Sequence, residues 1–186
     1  MEISPTTKKL EKELYSPYSL PFFYLTSKLL DFTTSVIEFG ISSDKTVEFN
    51  ASARNMMVKY GALKGLIFYD TKYLWPIELC FLTYLISIFL DKRIKSPKLK
   101  NLNKIIKGIS TTDLMIVGGA HFLSGFWNLY FLPHFYLYYS KNSSLPFTYN
   151  LLWGMSILPL FVILANRWYE SFKYWVNLLN ELEKIQ

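Results

Sequence analysis

Cysteine is almost missing from this chain: Cys80 is the only one in 186 residues. An internal disulfide framework is excluded, and neither a Cys-x-x-Cys pair nor a Cys/His metal spacing exists. Sitting in an apolar run, Cys80 reads as a small buried hydrophobe. No Gly-rich phosphate loop follows a strand and no Ser/His/Asp set is evident, so the usual signatures of nucleotide and acyl-transfer chemistry are lacking. A secretory signal is lacking too. The first apolar stretch is polar in its middle and has no small-residue cleavage site, so it is expected to stay in the mature protein. Acidic residues are outnumbered, 14 against 20 Lys and Arg, for a net charge of +6. Most of that excess lies in one segment beside apolar runs, which suits a membrane surface and argues against nucleic acid.

What the chain has in quantity is apolar and aromatic side chains, 51% and 18% of its residues. Its length suits one domain. Four stretches approach the ~20 residues that a bilayer-spanning helix needs: Tyr18–Gly40, Tyr73–Leu90, Ile109–Leu132 and Phe147–Asn166. Pro21 falls in the opening turn of the first, where its missing N–H does no harm. The segment between the first two predicts an interfacial helical excursion, with Ser43 or Asp44 as cap and Val47, Met56, Met57 and Tyr60 on its apolar side. After the fourth stretch, Phe172, Trp175, Val176, Leu179 and Leu182 share one face, which predicts an amphipathic C-terminal helix at the interface. The expectation is an all-α polytopic membrane protein: a tail over 1–17, a four-transmembrane-helix bundle over 18–167, and the amphipathic helix over 168–186.

Lysine and arginine set the orientation. Three lie in the N-terminal tail, seven between the second and third spans (Lys92, Arg93, Lys95, Lys98, Lys100, Lys104, Lys107) and three in the C-terminal tail. The other side has six: Lys45, Arg54, Lys59, Lys64, Lys72 and Lys141. Positive charge stays inside, so both termini are expected to be cytoplasmic. The seven-residue cluster reads first as this topology signal and second as a patch for anionic lipid.

Each expected span nevertheless carries polar groups. At ~100° per residue, Lys28, Asp31, Ser35 and Glu38 fall within about 80° of one another on the first helix, with Thr34 adjoining. Lys28 and Asp31 are close enough in sequence to pair. The second span adds Glu78, the third Asp113, His121 and Asn128, and the fourth Asn150. An isolated acid at a helix centre costs roughly 2.5–3.5 kcal/mol to insert, so such residues normally face a bundle interior or a wet cavity. A polar-lined cavity inside an apolar shell is one reading, and interhelical hydrogen bonding is the other. Asp113, His121 and His134 are loosely similar in spacing to the Asp/His/His site of copper membrane monooxygenases, but Val117 stands at that pattern's nearer acid, so no metal or other cofactor is expected. Glu38 and Glu78 remain as a carboxyl pair. A carboxyl in apolar surroundings keeps its proton near neutrality, which suits protonation of an alkene or capture of a hydrophobic amine.

The fragments "VIE" at 36–38, "VEF" at 47–49, "RNMMVKY" at 54–60, Glu78, and "NLLW" at 150–153 followed by Pro159 resemble the EXPERA family. These four-helix membrane proteins take in sterol double-bond isomerases of the emopamil-binding type and sigma-2-receptor-like proteins. The resemblance implies four packed spans with cytoplasmic termini, and the endoplasmic reticulum as location if the source is a eukaryote. It implies that Glu38 and Glu78 hold an amine or a carbocation-like intermediate, and that Asn150 and Trp153 line the pocket. Asp31, Thr34 and His121 join them as ligand-binding candidates from the polar stripes. Where the isomerases carry a His one turn before the first acid, this chain has Thr34, which favours binding without chemistry. The expected partners are a sterol- or isoprenoid-like ligand, membrane lipids, and a second copy or a larger membrane complex. The function expected is an intramembrane polar-lined cavity that binds a sterol- or isoprenoid-like ligand, with or without acid-catalysed double-bond isomerisation. The alternatives are a non-catalytic lipid-handling or ligand-binding protein and a structural subunit of a larger membrane complex.

Overall fold

A computed structural model describes residues 17–42, 50–141 and 147–183. All regular structure among them is helical: α1 (Ser19–Ile41), α2 (Ala51–Tyr60), α3 (Ala62–Asp91), α4 (Pro97–Lys141) and α5 (Phe147–Glu183). The expected caps Ser43 and Asp44, and Val47, lie outside the described residues. Asn50 caps α2 instead, its side-chain oxygen accepting from the backbone N–H groups of Ser52 (3.0 Å) and Ala53 (3.1 Å), two of the donors a helix start leaves without partners. Gly61, at φ 86°, turns the chain from α2 into α3, a left-handed conformation that a Cβ would strain. Inside α3, Asp70–Leu74 winds as a π-helix. Pro76 lies two residues past its end; it lacks an N–H and its ring crowds the carbonyl of Lys72, which the wider turn relieves.

Three boundaries differ from the sequence reading. The helix that holds the second expected span begins at Ala62, ahead of Tyr73. The third is the middle of a 45-residue helix that opens with Pro97 in its first turn, where proline is pre-organised for helix; most of the lysine-rich segment is therefore helix, not loop, and Pro133 and His134 are helix-interior. The fourth runs without a break into the C-terminal tail as 37 helical residues. At ~1.5 Å per residue, α4 and α5 are about 68 and 55 Å long, well beyond a hydrocarbon core of ~30 Å.

The chain divides into two compact units: the described residues within 1–25, 77–119 and 164–186 form unit one, and those within 26–76 and 120–163 form unit two. The core of unit one is Leu20 and Tyr24 from α1, Tyr84 and Ile88 from α3, and Leu114 and Met115 from α4, with Trp168 and Tyr174 of α5 against it. Tyr24 Oη donates to Glu78 (2.9 Å) and Tyr84 Oη to the Pro17 carbonyl (2.8 Å), so α1 and α3 run antiparallel there. Cys80 meets Asp113 (3.3 Å) while Asn103 donates to the Ser87 carbonyl (2.9 Å) and to Asp91 (2.7 Å), which makes α3 and α4 antiparallel. Trp175 Nε1 donates to Thr112 (2.8 Å) and Lys104 pairs with Glu181 (2.9 Å), so α4 and α5 are antiparallel too. The C-terminal tail, expected at a lipid interface, thus packs on α4: Leu178 is buried, and of the expected apolar face only Phe172 is strongly exposed.

In unit two, α2 folds onto α1 and α3 through Phe39, Ala53, Met57 and Leu66. Gly65 lets α2 come this close, because a Cβ there would lie 2.3 Å from the Met56 carbonyl oxygen and from Met57 Cα. Also in unit two, Trp153 and Gly154 of α5 meet Leu129 and Tyr130 of α4, while Phe161 packs on Phe122 and Phe126; the two helices are antiparallel here as well.

Candidate functional site

The polar stripe of α1 lies in unit two, and its residues find partners on α3 and α4. Lys28 does not pair with Asp31, as its sequence neighbourhood suggested. Its ammonium reaches Asp70 in the π-helical turn of α3 at 2.6 Å, with both side chains largely buried. Asp31 turns instead to α4: Oδ2 lies 2.7 Å from His121 Nδ1, and Oδ1 accepts from Ser124 Oγ at 2.8 Å. One turn on, Asn128 Nδ2 approaches Ser35 Oγ at 3.3 Å. Residues 31 and 35 meet 121–124 and 128 in ascending order, so α1 and α4 run parallel. Gly125 permits the approach. A Cβ at that position would sit 2.8 Å from the Asp31 backbone nitrogen and 3.1 Å from its Cα, and backbone atoms cannot swing aside.

Thr34 and Glu38 complete the stripe. Thr34 is buried, and its hydroxyl donates back to the carbonyls of Leu30 (2.9 Å) and Asp31 (3.1 Å). Its hydrogen is thereby occupied within α1, which leaves Thr34 a shape-setting role in the wall. Glu38 is 3% exposed, so it does not face lipid or solvent. Glu78 belongs to unit one, is half-buried, and accepts from Tyr24. The expected carboxyl pair is thus distributed over the two units. Trp153 spends its indole N–H on the Leu129 carbonyl at 2.9 Å, and Asn150 is half-buried at the start of α5.

Asp31, His121 and Ser124 therefore form one contact cluster, with Glu38 buried about two turns further along α1 and Lys28, one turn before Asp31, tied to Asp70 of α3. Asp31 Oδ2 and His121 Nδ1 lie at hydrogen-bond distance, with the donor set by the imidazole tautomer. A carboxyl and an imidazole in contact can pass one proton between them, the elementary unit of acid–base chemistry. Among the described residues, no group of three His, Cys, Asp or Glu side chains could hold a metal ion.

Two members escaped the sequence reading. Asp70 sits in a segment that looks interfacial, and only Pro76 hints that the helix there is distorted toward α1. Ser124 was legible in principle: His121, Ser124 and Asn128 recur at the three- and four-residue steps that share one helix face. Compared with known proteins, the chain matches no family model, no curated protein and no solved structure.

Proposed function

We propose that the chain is an integral membrane protein crossing the bilayer four times, with α1, α3, α4 and α5, and that its polar stripe forms an intramembrane site for a sterol- or isoprenoid-like ligand. Two helices, Ala62–Asp91 and Thr148–Glu183, are long and apolar enough to cross a membrane. In their most apolar stretches only 17% and 6% of residues are buried, unlike the core helices of a water-soluble domain. The more polar α1 and α4 also turn large apolar side chains outward at helical spacing: Phe22, Leu25 and Leu29 on one, Ile109, Ile116 and Leu123 on the other. Apolar outside and polar inside is the pattern lipid demands. The helix directions support the same count. Alternating crossings require the first and third spans to be parallel and consecutive spans antiparallel, as the contacts within each unit are. An even number of crossings puts both termini on one side, and the lysine distribution makes that side the cytoplasm.

The observation that carries the ligand reading is the burial of Glu38 in the same unit as the Asp31–His121 pair. A membrane helix tolerates such groups where they serve a pathway or a ligand. In the catalytic form of the reading, a carboxylic O–H protonates one alkene carbon, a carboxylate steadies the resulting cation, and a proton from the neighbouring carbon returns to the site. The binding-only form needs just the acid and an apolar wall. A structural subunit is the second reading, favoured by one observation: Lys28, Asp31 and Ser35 all spend polar atoms on neighbouring helices.

Equilibrium binding of a labelled hydrophobic amine, with a sterol as competitor, tests the proposal on protein purified in mild detergent. Glu38→Gln is expected to lower affinity at least tenfold, about 1.4 kcal/mol, with the thermal unfolding midpoint little changed. Glu78→Gln in parallel reads whether the second carboxyl also faces the ligand. Unaltered binding by Glu38→Gln, or no saturable binding by folded wild-type protein, would leave the structural reading in its place.

A further inference from the structure

Unit one contains a cavity of about 500 Å³ whose lining includes Lys100, Lys104, Lys107, Asp91, Tyr174 and Glu181. That volume lies within the ~300–1,000 Å³ range of small-molecule sites. The three lysines are four and three residues apart, so they share one face of α4. They differ in what they are already doing. Lys107 is buried and in contact with the Asp91 carboxylate; burial pushes its ammonium below the usual lysine range, with Glu181 acting against the shift. Lys104 pairs with Glu181, a side chain still 56% exposed. Lys100 is exposed and pairs with no described acid. The cavity thus holds one cation anchored in the wall, one held by a partner that solvent competes for, and one uncommitted. The Tyr174 hydroxyl group also lines the cavity and is already hydrogen-bonded to Tyr84.

We infer that this cavity is an anion site for a phosphate monoester group, carried either by a membrane lipid headgroup or by a soluble phosphate compound. A phosphate dianion accepts several charge-assisted hydrogen bonds at once. It would take Lys100 directly and draw Lys104 away from Glu181, while the Asp91-bound Lys107 fixes the positive end of the wall. This goes beyond a lysine count that merely fixes topology, because such a signal needs no cavity and is indifferent to which lysine is removed. The inference does not depend on the ligand site of unit two.

The test uses the full chain in phosphatidylcholine nanodiscs, with thermal unfolding as readout. One arm adds 10 mol% phosphatidic acid, at about that level, to the bilayer; the other titrates inorganic phosphate against chloride at equal ionic strength. Wild-type protein is expected to be stabilised in at least one arm. Response to the lipid alone assigns a headgroup, and response to inorganic phosphate assigns a soluble source. Lys100→Gln should weaken the response about tenfold in apparent affinity, whereas Lys98→Gln, in the same segment but outside the cavity lining, should not. Glu181→Gln frees Lys104 and should tighten binding several-fold. No stabilisation in either arm overturns the inference, and so does an equal loss in Lys98→Gln and Lys100→Gln, which would reveal diffuse surface attraction.

Discussion

Asp31→Ala is expected to lower the stability of the detergent-solubilised protein by about 2–3 kcal/mol, seen as a fall of several degrees in the unfolding midpoint. The change strips His121 Nδ1 of its carboxylate at 2.7 Å and Ser124 of its acceptor at 2.8 Å. Ser124 is exposed on the outer side of α4 and can turn its hydroxyl back to a carbonyl of its own helix, so most of the loss belongs to the largely buried imidazole. An average interhelical hydrogen bond in a membrane protein contributes only ~0.6 kcal/mol; the larger figure expected here reflects one side chain that serves two partners, one of them a largely buried imidazole. Asp31→Asn keeps one acceptor oxygen and should lose less than half as much. In a double-mutant cycle with His121→Leu, a coupling of about 1 kcal/mol or more is expected. Strict additivity would mean that the two side chains do not support each other.

Gly65→Ala should be at least as damaging, but locally. Its new methyl would lie 2.3 Å from backbone atoms of Met56 and Met57, more than 1 Å inside ordinary contact, and neither atom can rotate away. Overpacking of this kind costs roughly 1–3 kcal/mol and sometimes more, enough to lift α2 off α3. Amide hydrogen exchange within Ala51–Tyr60 is expected to accelerate at least a hundredfold while α4 and α5 keep their protection. Gly61→Ala, which meets no crowding but must hold φ near 86°, should show a smaller change of the same kind, about 1–2 kcal/mol. Unchanged exchange in α2 would mean that the hairpin has another way to close.

How much of this was legible in the sequence varies from element to element. The stripe on α1 was, because Lys28, Asp31, Ser35 and Glu38 repeat at helical spacing and the helix is continuous. Its pairing was not. Lys28 chooses Asp70 over Asp31 because a tertiary neighbour is available where the π-turn of α3 presents it, and sequence proximity says nothing about that. His121 was visible as a polar residue within an apolar run, yet its tie to Asp31 depends on Gly125 allowing two backbones together across ninety-odd residues. Helix ends were the least legible. Hydropathy reports where apolar residues stop, but α4 and α5 continue as helix beyond that point, since Pro97 starts one early and Trp175, Leu178 and Glu181 find partners on the other. The same extension places Lys100, Lys104 and Lys107 around a cavity, where the run of charges had read first as a topology signal.

Photo-crosslinking addresses the central claim, that the buried stripe is a ligand site, most directly. A photoactivatable hydrophobic amine would be irradiated with the purified protein, with and without competing sterol, and the labelled peptides mapped. Labelling is expected on α1 between Asp31 and Glu38 and on α4 between His121 and Asn128, to be suppressed by competitor and to fall with Glu38→Gln. Labelling confined to the outward-facing residues of α5, such as Leu151, Met155 and Val162, and indifferent to competitor, would contradict it and leave the polar stripe as the joint between helices.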